Sequence, residues 1–76
     1  MNFKEATDRL MDAGIALPDI AAALGAAYTT ARAWRLDPDS PSYRRPPEGW
    51  EVALARLARE RGQELSGIAE ELEGRG

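Results

Sequence analysis

The chain has 76 residues, 43% of them hydrophobic, with a formal net charge of −3 and neither cysteine nor histidine. It is one small domain, and its alanine-rich apolar content suits a helical bundle better than a sheet. Disulfides, thiolate zinc sites, cysteine nucleophiles and histidine bases are excluded.

The elements follow in chain order. Asn2 and Glu5 stand three apart, a capping box that opens a first helix. Phe3, Ala6, Leu10 and Met11 form its apolar face, and Gly14 stops it. Pro18 suits the first turn of a second helix, and Asp19 beside it complements the helix dipole. That helix turns Ile20, Ala21 and Leu24 to one side and ends at Gly25. A third helix is predicted from about Ala27 to Leu36, stopping before Asp37-Pro38. It carries Ala31 and Trp34 inward and leaves Tyr28, Thr29, Arg32 and Arg35 outward.

Residues 37–47, DPDSPSYRRPP, hold four of the five prolines and are predicted as an extended connector. Pro47 is expected to open a last helix. Its stripe Leu54, Ala58, Arg61, Leu65, Ile68, Leu72 alternates steps of four and three, as in a coiled coil. Gly62 costs about 1 kcal/mol there relative to alanine. The favoured reading is one continuous helix to about Glu73 with a weak point at Gly62, and Gly74 to Gly76 are expected to fray. Residues 1–61 form the expected globular domain and 62–76 an extension.

Two short helices joined by a glycine turn over residues 17–36 are the layout of a helix-turn-helix, whose second helix enters the DNA major groove. A close helix crossing needs a small residue, Ala21, and a turn that tolerates positive φ, Gly25. An ordinary helical hairpin is the plainer alternative. Charge favours DNA locally: residues 28–47 hold four Arg against two Asp, whereas residues 48–76 hold four Arg against seven Glu.

The stretch LPDIAAALGAAYTTARAWRL resembles the helix-turn-helix of the Cro/lambda-repressor (XRE) superfamily. Its continuation YRRPPEGWEVALARLARE is similar to small phage and mobile-element regulators, among them the anti-CRISPR-associated repressors. The resemblance covers roughly residues 5 to 60 and implies a dimeric repressor binding inverted repeats. Three features depart from that pattern. Ala31 stands where Val or Ile is usual. Ala27 replaces a Ser or Thr cap, a loss of about 1 kcal/mol. The last helix also overruns the usual domain end.

Arg32 is the first candidate for a base contact, since bidentate Arg–guanine pairing is the commonest specific contact; an exposed, solvated arginine is the alternative. Tyr28 and Thr29 open the same helix and can touch bases, or the Tyr28 ring can pack on the preceding helix. Thr30 and Arg35 are candidate phosphate contacts. Arg44 and Arg45 can follow the backbone or a minor groove, or else pair with Asp37 and Asp39. Lys4 and Arg9 are assigned to the surface. Trp34 and Trp50 are assigned to the core, with Trp50 under the reading helix.

Leu65, Ile68 and Leu72 exceed what so small a core needs, so they are expected to form a two-fold dimer seam flanked by Glu64, Glu70, Glu71 and Glu73; the alternative is a tail folded back at Gly62. The pair Glu70-Glu71 has no pocket-forming sequence around it, and Asp37 and Asp39 lack the glycine and terminal glutamate of a calcium loop. The expectation is therefore no enzyme, no metal, no cofactor and no small-molecule ligand, with double-stranded DNA as partner. No apolar run reaches membrane-spanning length and no secretory signal is seen, so a cytoplasmic setting is expected. A DNA-packaging or recombination accessory, or a protein-interaction module such as an antitoxin, remain alternative functions.

Overall fold

The computed structural model describes residues 1–74; Arg75 and Gly76, and with them the end of the expected extension, lie outside the described residues. Four helices and no strand make up this all-α chain among those residues: α1 (Phe3–Asp12), α2 (Leu17–Ala23), α3 (Tyr28–Trp34) and α4 (Trp50–Gly74). α2 is central and packs against each of the other three.

The capping box forms as expected: Glu5 N–H donates to Asn2 Oδ1 at 2.8 Å, and Asn2 N–H donates to Glu5 Oε1 at 3.2 Å. α1 and α2 then end in the same way. At Gly14 (φ +98°), Ile15 N–H reaches Leu10 C=O at 3.0 Å and Gly14 N–H reaches Met11 C=O at 2.9 Å. At Gly25 (φ +67°), Ala26 N–H reaches Ala21 C=O at 2.9 Å and Gly25 N–H reaches Ala22 C=O at 3.0 Å. Both are Schellman caps, in which a left-handed residue turns the chain sharply and satisfies the last carbonyls. The cap at Gly14 also drops Ile15 into the core, where Leu10 packs against it.

Ile20 and Ala31 are fully buried where α2 crosses α3, with Ala21 beside them. The small side chains allow the close approach that so short a turn demands. Phe3 lies between the two tryptophans, 5.8 Å from Trp34 and 5.2 Å from Trp50, edge to face with each. Trp50 therefore packs on α1 through Phe3, rather than directly under α3 as expected. Leu54 closes the core from α4.

Four boundaries differ from expectation. α3 ends at Trp34, two residues short of Leu36, and α4 retains Gly74 in place of the expected fraying. The connector is extended only over residues 43–47; residues 37–42 coil into consecutive turns, held by Asp39 N–H to Asp37 Oδ1 at 2.9 Å and Ser40 N–H to Asp37 C=O at 2.8 Å. Asp and Ser side chains capture nearby N–H groups, which overrides the stiffness of the prolines. The last helix begins at Trp50, three residues after Pro47, because Gly49 takes φ +82° and lies outside helical space. From there α4 runs unbroken through Gly62 for 25 residues, about 37 Å at 1.5 Å per residue. The molecule measures 56 × 22 × 19 Å, so α4 projects well beyond the body. No helix among the described residues is long and apolar enough to cross a membrane.

Candidate nucleic-acid interface

α3 is anchored from beneath and bare above. Ala31 and Trp34 fix its inner side in the core at 0% and 8% exposure. Tyr28, Thr29 and Arg32 are exposed on its outer side, and Thr30 is half-buried at its edge. The Arg32 guanidinium lies 5.9 Å from the centre of the Tyr28 ring. This cation–π contact lines the two side chains up as one surface and limits the freedom of the arginine. Tyr28 also borders a shallow hollow with Leu17 and Pro18, so its ring serves the solvent face and the α2 flank together.

The connector brings two further arginines to this face. Arg44 N–H donates to Ala33 C=O at 3.3 Å, which pins the extended segment beside the end of α3. Arg44 and Arg45 are exposed, and among the described residues neither forms an ion pair, with Asp37 and Asp39 or with any other acid. Asp37 instead spends its carboxylate on the turn at Asp39.

Arg35 does not point outward as expected. It caps the C-terminal end of α3 and turns inward, its Nε 2.9 Å from Thr7 Oγ1 and its guanidinium paired with Asp8. Thr7 is fully buried and donates its hydroxyl proton to Phe3 C=O at 2.9 Å, so its oxygen is free to accept from Arg35. The geometry makes Arg35 a strut between α1 and α3, already committed before any ligand arrives. Asp8 also accepts from Lys4 Nζ at 2.9 Å. That hydrogen bond, above all, holds the Asp8 carboxyl below the ordinary carboxylate range; desolvation opposes it, and the nearby Arg35 charge adds to the lowering. Lys4 is thus a surface residue with a partner, while Arg9 is simply exposed.

Thr7 and Asp8 were missed in the sequence. The signal for Thr7 was present: it lies four residues after Phe3 and three before Leu10, within the apolar face of α1. A threonine in that stripe must satisfy its hydroxyl inside the core, and Arg35 and the Phe3 carbonyl do so.

α4 carries the remaining assigned residues away from α3. Arg61, the break in the stripe, reaches Asp19 of α2 at 3.6 Å and Glu64 at 3.9 Å. Beyond it Leu65, Ile68 and Leu72 are 59%, 48% and 70% exposed, so the tail stands clear of its own domain and does not fold back at Gly62. The described residues contain no grouping of acidic side chains that could hold a metal ion. Comparison with protein-family models, curated proteins and solved structures finds no match to this chain.

Proposed function

We propose that this chain is a sequence-specific DNA-binding transcriptional regulator, a dimeric repressor of inverted-repeat sites acting in the cytoplasm, that lays α3 in the major groove. The observation that carries the proposal is the outer face of α3. A seven-residue helix is held rigidly by Ala31 and Trp34 and presents Tyr28, Thr29 and Arg32. Two unpaired arginines are pinned beside it by the Arg44–Ala33 hydrogen bond.

The roles follow from reach and chemistry. Arg32 has a fork of donors that matches guanine O6 and N7. The Thr29 hydroxyl can donate or accept at a base edge, and its methyl suits thymine. Arg44, Arg45 and the edge residue Thr30 contact phosphates, which set register without reading sequence. The glutamates of α4 lie on the helix that leads away from this face, which reconciles a net charge of −3 with a polyanionic partner.

Selection of bound duplexes from a random pool, followed by titration across salt concentrations, tests the proposal. A palindromic site with half-sites about one helical turn apart is expected. Arg32→Ala is expected to weaken specific binding by about 1–3 kcal/mol and relax preference at one base pair. Replacing Arg44 and Arg45 by alanine is expected to weaken all duplexes alike and to lower the salt slope by about two. Binding that does not depend on salt, or an Arg32→Ala variant with unchanged specific affinity, removes α3 as the reading element.

A further inference from the structure

The exposed face of α4 and the groove beside it complement each other on two copies of the same chain. Ala55, Ala58, Gly62, Leu65, Ala69 and Leu72 recur at steps of three and four, share one side of the helix, and are all exposed. At its N-terminal half this side opens into a groove of about 540 Å³ between α1 and α4, walled by Ala6, Leu10, Leu54, Ala55 and Ala58, with Arg9 at its rim. At its C-terminal half the same side is the bare ridge of Leu65 and Leu72, with Ile68 on its flank.

We propose that α4 pairs antiparallel with α4 of a second copy, about a two-fold axis between Gln63 and Glu64, so that each tail fills the partner's α1–α4 groove. This deepens the dimer of the function proposed above and is independent of what α3 contacts. In that register Leu72 meets the partner's Ala55, Leu65 meets the partner's Gly62, and Ala69 meets the partner's Ala58. Every large side chain falls on a small one, which lets two helices approach closely and interdigitate. The absence of a side chain at Gly62 then has a use, since its position opens a space under leucine.

Charge selects the same orientation. Residues 62–74 hold Glu64, Glu70, Glu71 and Glu73 and no basic residue, whereas the groove half carries both signs, with Arg9, Arg56 and Arg59 against Glu51 and Glu60. A parallel pair sets glutamate against glutamate and Arg59 against its own copy. The antiparallel pair brings the acidic tail to the half that holds Arg56 and Arg59 and leaves Glu70 within about one turn of the partner's Arg59. The tail has reason to seek such cover: Glu70, Glu71 and Glu73 crowd a helix C-terminus, where the dipole disfavours anions, and two glycines weaken the helix before them.

The chain has no native cysteine, so disulfide trapping of the full-length protein can test the register. The double variant Ala58→Cys/Ala69→Cys is expected to form a disulfide-linked dimer under mild oxidation. Its two positions are eleven residues apart on one rigid helix, about 16 Å, and cannot bridge within one chain. Ile68→Cys and Leu72→Cys, each alone, are expected to give no cross-linked dimer. Cross-linking by Leu72→Cys alone means a parallel pair, and by Ile68→Cys alone a tail-on-tail pair; either overturns the docking while sparing the dimer. A monomer by light scattering for the unaltered chain overturns both, and leaves the duplex-binding assay to judge α3 separately.

Discussion

The two halves of α4 are written in one pattern and have opposite fates. Leu54, in the first half, is 4% exposed and closes the core; Leu72, in the second, is 70% exposed and stands outside that core. The spacing that puts both on one stripe is the same. What differs is the presence of α1 and α2 beneath the first half and of open solvent beneath the second. An apolar stripe states that a surface is to be covered, and only the fold states by what.

Core truncation breaks the comparison most strongly. Leu54→Ala is expected to cost about 2–5 kcal/mol of stability in chemical denaturation, the usual range for a buried leucine. Leu65→Ala is expected to leave the stability of the isolated monomer nearly unchanged and to act only on a concentration-dependent midpoint. If both variants lose the same amount at every concentration, the tail is part of the monomer core and the contrast fails.

Gly62→Ala sharpens the comparison, since the two levels respond with opposite sign. Beyond the adjoining helix backbone no atom lies within 4 Å of the added Cβ, so the single chain is expected to gain about 1 kcal/mol in helix stability. In the antiparallel pair the same methyl stands under the partner's Leu65, and the dimer is expected to weaken in sedimentation. A gain in both would place Gly62 outside the interface.

Acid is the mildest probe, and it acts on the body. Lys4, and then Arg35, depress the Asp8 carboxyl in the folded state. A group with a lowered folded pKa stabilises the fold above its ordinary value of about 3.9, and that contribution disappears as pH falls through the lowered value. The denaturation midpoint is therefore expected to fall below about pH 4, and Asp8→Asn to flatten that fall. Equal acid sensitivity in the variant assigns the loss to other carboxylates.

Much of the body was legible in advance, because its signals are local. Asn2 and Glu5 announce a cap, and Gly14 and Gly25 each announce a turn. Ile20, Ala21, Ala31 and Trp34 announce an inner face, and all four are buried. Ile15 and Leu17 were harder to place as core, since each sits at the edge of a helix where periodicity is too short to read. The outer face of α3 was also legible at Tyr28, Thr29 and Arg32. Arg35 was not: helical spacing puts it at the rim, and its direction depends on Thr7 and Asp8, 28 and 27 residues away.

The sequence by itself determined the all-helical class, the number and order of the helices, the glycine turns at Gly14 and Gly25, and the continuity of the last helix through Gly62. Each of these follows from interactions within a few residues: caps, helical periodicity and backbone freedom at glycine. The tertiary structure alone decided which arginines are free. Arg35 is spent on α1 and Arg61 reaches α2, while Arg44 and Arg45 stay open beside α3. It also decided that Trp50 meets Phe3 edge to face and that the tail stands bare. A long side chain takes its partner from whatever the folded chain brings within hydrogen-bonding reach, and that proximity is set by how the helices cross.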